Sequence, residues 1–176
     1  ADKDGGGVVF DPTVTAIITD SHFTSCTAGN AGGGLGLGGL TLSGLPDVSA
    51  EVSATNFTSC SATSRGGAIE VSYGSLALKG PFHMTSNRAG LSGGALHGFT
   101  VSLSCQRTDE TVMIPGTNET VPCLFFNNSV DNGDGGALYL GDFISNQLDI
   151  HGDVMFANNS AGRNGGAIFS PGAPIS

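Results

Sequence analysis

The 176-residue chain has no tryptophan, two tyrosines, and six lysines and arginines against fifteen acids, a formal net charge of −9. So few cations cannot build a basic patch, which excludes nucleic acid and anionic membrane surfaces as expected partners. No apolar run approaches the ~18 residues of a membrane helix. No signal-peptide pattern opens the sequence, and its first residue is Ala, as in a processed chain or a segment of a longer one. C-x-x-C pairs and clustered histidines are missing as well, so no metal ligand set and no cofactor are expected. An apolar period of 3.6 is also lacking, which leaves helix without its main signal.

What is plentiful is glycine, 29 residues, and it falls at fixed offsets rather than in low-complexity runs. The clearest unit is Phe156-Ala-Asn-Asn159-Ser-Ala161, followed by Gly165-Gly166-Ala167-Ile168. The same offsets return Met84, Asn87, Ala89, Gly93, Gly94, Ala95 and Leu96, and again Phe57, Cys60, Ala62, Gly66, Gly67, Ala68 and Ile69. Phe23, Cys26, Ala28 and Gly32-Gly33-Gly34-Leu35 form a further copy, and Phe125, Asn128, Val130 and Gly135-Gly136-Ala137-Leu138 a slightly stretched one. Gly5-Gly6-Gly7-Val8 is the tail of another. Successive Gly pairs begin at 5, 32, 66, 93, 135 and 165, a basic step of 27 (5 to 32, 66 to 93) with insertions. A period this short, with glycine pairs in every unit, belongs to a β solenoid rather than a helical array.

Within one unit the alternation is that of strands. Ile69 and Val71 alternate with Glu70 and Ser72, Leu76 and Leu78 with Ala77 and Lys79, and Phe82 and Met84 with His83. Tyr73-Gly74 and Gly80-Pro81 are read as the intervening turns. Three short strands per step predict an all-β fold, a single right-handed parallel β-helix of about five three-strand coils occupying 1–176, its handedness taken from the rule for parallel crossovers. Equivalent positions then become columns. Val8, Leu35, Ile69, Leu96, Leu138 and Ile168 are expected to point inward, as are Phe23, Phe57, Met84, Phe125 and Phe156. Phe57→Ala or Phe156→Ala should be strongly destabilising, whereas Ser72→Ala, on the outward side, should change little.

The paired Gly-Gly-Ala-Ile/Leu and Phe-x-x-Asn motifs resemble the repeats of the chlamydial polymorphic outer membrane proteins and of related secreted right-handed β-helix proteins. The resemblance runs from Gly5 to Ile168 and implies a right-handed β-helical passenger domain, autotransport and adhesion. It departs from the pattern at Cys26 and Cys60, which stand for Asn, and at Met84, which stands for Phe.

Cys26 and Cys60 share a column in adjacent coils, about 5 Å apart, and are expected to pair. Cys105 and Cys123 bracket the longest insertion and are expected to close a loop at 104–123. Four sequons, at Asn56, Asn118, Asn127 and Asn158, together with four cysteines, point to a secreted, N-glycosylated, extracellular product. The acids and the four histidines are scattered, with no two acids neighbouring in one column, so no catalytic pair is expected and the chain is read as a non-enzyme. Asp131-Asn-Gly-Asp134 lacks the spacing of a calcium loop and is read as a turn. The function expected is a structural building block of a surface filament or coat. An adhesin-like segment and, more remotely, a polysaccharide-degrading β-helix enzyme are the alternatives. With a repeat at each end and no amphipathic cap, partners are expected end to end, either further repeats or a second copy.

Overall fold

In the computed structural model, residues 3–10, 15–38, 48–72, 74–105, 111–116, 120–141 and 147–171 are described, and among them there is no helix. Three sheets carry the architecture, all with parallel strands. The first orders Val8–Phe10, Leu35–Leu37, Ile69–Val71, Leu96–Gly98, Leu138–Leu140 and Ile168–Phe169, one strand from each repeat. The third stacks two-residue strands, Thr27–Ala28, Ser61–Ala62, Arg88–Ala89, Ser129–Val130 and Ser160–Ala161. The second is the long one, built around Val48–Thr58 and Gly74–Thr85 with Thr100–Cys105, Cys123–Phe126, Gln147–Gly152 and Val154–Ala157. Every strand of these sheets lies beside its counterpart from a neighbouring repeat, the arrangement of a parallel β-helix. A small antiparallel pair, Val112–Met113 with Thr120–Val121, stands apart inside the insertion.

The registers reproduce both inward columns residue for residue. Val8 pairs with Leu35, Leu35 with Ile69, Ile69 with Leu96, Leu96 with Leu138 and Leu138 with Ile168. Phe23 pairs with Phe57, Phe57 with Met84, Met84 with Phe125 and Phe125 with Phe156. The middle members are sealed from solvent, and the outer ones are not: Val8 is exposed, and Phe23, Phe156 and Ile168 are only partly buried. Identical side chains one strand apart stack face to face. The rings of Phe23 and Phe57 lie 4.7 Å apart and 5° from parallel, and those of Phe125 and Phe156 4.7 Å and 9°.

The glycine pair has a divided role. The first member is left-handed in all six copies, with φ between 58° and 70° at Gly5, Gly32, Gly66, Gly93, Gly135 and Gly165, a region that most side chains avoid. The second is there for closeness, since a Cβ on Gly67 would run into the backbone oxygen of Gly94 in the next repeat.

Two turn assignments need correction. Gly80-Pro81 is not a corner: the strand Gly74–Thr85 runs straight through it, with a register irregularity opposite Ser53 and Thr55. The segments at Leu76 and Phe82 therefore belong to one face. The missing third face is made by the two-residue strands of the Arg88–Ala89 type, too short to show an alternation. The other expected turn rests on Tyr73, which lies outside the described residues.

Candidate functional site

The most ordered polar feature is an asparagine ladder along one inner edge. The Asn87 side chain accepts from the backbone N–H of Cys60 (2.9 Å) and donates to the Phe57 carbonyl (3.0 Å). Asn128 repeats this one repeat later, accepting from the Asn87 N–H (3.0 Å) and donating to the Met84 carbonyl (2.8 Å). Asn159 does so again with Asn128 N–H (2.9 Å) and the Phe125 carbonyl (2.9 Å). The side chains also bond one another, Asn87 Nδ2 to Asn128 Oδ1 at 3.0 Å and Asn128 Nδ2 to Asn159 Oδ1 at 2.9 Å. Asn87 and Asn128 are fully buried, where only such complete satisfaction makes a polar group tolerable.

The ladder explains a correction at the cysteines. Cys26 and Cys60 were expected to be bonded, and both are free. Cys60 Sγ instead points at the Phe23 carbonyl, 3.5 Å away, the same bond that the asparagine amide makes in later repeats. Cys26 Sγ turns to the Thr24 carbonyl at 3.7 Å. Burial pushes the Cys60 thiol up to about 12, so it keeps the proton it donates. Cysteine here stands in for asparagine as a donor.

Cys105 and Cys123 are joined, with Cα atoms 6.1 Å apart across a separation of 18 residues. The bridge lies against Gly80 of the neighbouring strand, where a Cβ would come within 2.8 Å of Cys105 Sγ. Replacing both cysteines by alanine is expected to cost about 3 kcal/mol, the chain-entropy value for a loop of this size. A denaturation midpoint unchanged by the double replacement would show that the insertion needs no closure.

The sequons differ from one another. Asn127 and Asn158 are exposed and left-handed (φ 56° and 54°), in the same column as left-handed Ser25, Ser59 and Ser86. The turn alone is thus a reason for asparagine at both. Asn56 is half-buried and engaged: its Oδ1 accepts from the His83 N–H at 2.9 Å, and its Nδ2 lies 3.3 Å from His22 Nε2. Asn118 lies outside the described residues. In the Asp131–Asp134 turn, Arg88 donates to both oxygens of Asp131 at 2.8 Å, and Asp134 Oδ1 accepts from Asn164.

The largest departure from expectation lies on the outer face of the first sheet. Glu70 and His97 are partners in register and only 2% and 3% exposed, although their alternation places them outward. Ser72 Oγ sits 2.8 Å from both Glu70 oxygens, so Ser72→Ala is not a silent change. Glu70 Oε1 lies 3.9 Å from His97 Nδ1, which is buried and has no hydrogen-bond partner. Tyr139 stacks on His97 (5.1 Å, 8°), and Phe99 meets the imidazole edge-on (5.8 Å, 86°). Burial raises Glu70 to about 7, opposed by the Ser72 hydrogen bond and the charge of Arg65. Burial, with Arg65 second, lowers His97 to about 3.

These shifts act on stability in opposite senses. The Glu70 contribution is complete below its unfolded value of 4.5 and is lost as pH rises through 7. The His97 contribution is complete above its unfolded value of 6.5 and is lost as pH falls through 3. Between 4.5 and 6.5 the unfolded chain holds the proton on His97 and the folded chain holds it on Glu70, so the two slopes cancel. Glu70→Gln removes one slope. Between pH 6.5 and 4.5 its stability should fall by about 3 kcal/mol more than the parent's, at ~1.4 kcal/mol per unit; burial also lowers His83, which acts on both proteins alike. Urea titrations of both proteins at the two pH values decide it, and a variant that loses no more than the parent would sink this reading.

Beside the pair runs a cleft of about 390 Å³ bordered by Arg65, Ser92 and Asp134 on one side and His97, Phe99 and Tyr139 on the other. Among the described residues no group of three or more metal-binding side chains occurs.

Comparison with known proteins found no match among curated proteins or solved structures. Two segments, 122–141 and 153–171, do match a protein family, and each holds a complete Phe-x-x-Asn and Gly-Gly-Ala pair. The copies with Cys26, Cys60 or Met84 at the defining positions are not among the matched residues. The later repeats, residues 122–141 and 153–171, are thus the part of the chain similar to the Chlamydia polymorphic membrane protein (Chlamydia_PMP) repeat.

Proposed function

We propose that the chain is a non-catalytic module of a surface protein, a right-handed parallel β-helix of about five coils that serves as a rigid building block of a surface filament or coat. The observation that carries this reading is the unbroken register from Val8 to Ile168, which makes each repeat a platform for the next. Among the described residues, the strands Val8–Phe10 and Ile168–Phe169 each pair on one side only. Val8 and Val9 are 36% and 50% exposed there. Such edges accept another strand. Covered by a second copy head to tail, they give a contact that repeats without closing and so a fibre; covered by further repeats, they give a longer rod. The surface acids support a non-catalytic role, since Glu51 is paired with Lys79 and Asp131 with Arg88. Exposed Asn127 and Asn158 are the positions at which we expect N-glycans.

Electron microscopy and sedimentation over a range of concentrations test the proposal. Rods that lengthen with concentration support it. A discrete particle at the highest concentration removes the filament and leaves the second reading, an adhesin-like passenger segment, which the cleft beside Glu70 and His97 favours.

A further inference from the structure

We infer that the cleft between Arg65 and Asp134 is a saccharide-binding site that takes a pyranose ring. It adds a ligand class to the adhesin-like reading and does not depend on end-to-end association. The cleft is made by two parallel columns. On one side the bridge partners Arg65, Ser92 and Asp134 follow one another in successive repeats. On the other, His97 and Tyr139 are register partners in the first sheet.

Neighbouring strands lie about 4.8 Å apart, so Arg65 and Asp134 stand roughly 10 Å apart along the stack. No ion pair joins them among the described residues, and Ser92 lies between them. Among the described residues no hydrogen bond or ion pair uses the Arg65 guanidinium. Asp134 spends one oxygen on Asn164, leaving Oδ2 unbonded among the described residues. The cleft thus offers a donor-only group at one end, an acceptor-only group at the other and a hydroxyl between them.

Sugar hydroxyls both donate and accept, so one ring satisfies both ends, whereas a simple anion would meet Asp134 and a simple cation Arg65. The ring's C–H faces find apolar surface at Phe99 and at Leu91, which is 55% exposed. The volume, about 390 Å³, falls in the range of small-ligand clefts lined by aromatic side chains and a few polar groups.

The test is calorimetric titration of the whole chain with a panel of methyl pyranosides: glucoside, galactoside, mannoside and N-acetylglucosaminide. In parallel, NMR follows the His97 and Tyr139 ring signals. At least one glycoside is expected to bind saturably and to move both ring signals. Arg65→Gln and Asp134→Asn should each weaken that binding tenfold or more; the asparagine keeps a carbonyl for Asn164. Arg88→Gln, which breaks the ion pair with Asp131 outside the cleft, should leave it unchanged. No binding across the panel, ring signals that stay in place, or equal binding by the Arg65 and Asp134 variants would overturn the assignment.

Discussion

Asn128→Ala is expected to destabilise the protein by about 2–6 kcal/mol. The side chain is fully buried and makes four hydrogen bonds, two across to the preceding repeat's backbone and two to its ladder neighbours. Alanine fills none of these roles. It strands the Asn87 N–H and the Met84 carbonyl away from water, and each orphaned buried group costs about 1–3 kcal/mol. Asn127→Gly, one residue away, is the matched control. It removes an exposed side chain but keeps a residue at ease with φ of 56°, so it should cost less than about 1 kcal/mol. Urea denaturation of the two variants separates the ladder from the turn. Equal losses would mean that the ladder does not tie the repeats together.

Phe57→Ala should cost about 3–5 kcal/mol, the range for a buried aromatic truncated in a rigid setting. Phe57 is wholly enclosed, stacked on Phe23, and its ring abuts Gly34 so closely that a Cβ there would lie 2.9 Å from it. The neighbouring backbones are locked by inter-strand bonds and cannot collapse into the space. Phe156→Ala was expected to match it from column identity alone. Phe156 is only partly buried, with its one stacked partner Phe125 on a single side, so the loss should be about half as large. Thermal melts of the pair check this, and equal losses would show that an unseen layer covers Phe156.

These two cases mark what the sequence makes legible. A repeat fixes which residues share a column, because the same backbone path forces the same offsets, and both inward columns follow from counting. Counting does not say how deep a column member lies. Phe57 and Phe156 are indistinguishable by offset, yet one is central and the other lies near an end. Glu70 and His97 show the converse. Alternation places them outward, but His97 is covered by Phe99, just past the end of its strand, and by Tyr139 of the next repeat, which no local period reports. Ser72 was misjudged for the same reason, since its partner Glu70 is buried. At Cys26 and Cys60 the column was read correctly and the chemistry was not. The signal lay in the residue they replace: a position that is asparagine in three copies calls for a donor, and a thiol can be one.

The ladder also has a direction. Each asparagine clasps the backbone of the repeat before it, and forward it meets only the side chain of the next asparagine: Asn159 holds the Phe125 segment, Asn128 the Met84 segment and Asn87 the Phe57 segment. At the Phe23 segment the Cys60 sulfur, at 3.5 Å, takes the place of that asparagine amide and is a weaker donor. Under a pulling force the joints are therefore unequal, and the weakest sits between the repeats of Cys26 and Cys60. Stretched along its length, the rod should unzip from that joint, one repeat per force peak, with a lower first peak than those of the asparagine-clasped repeats.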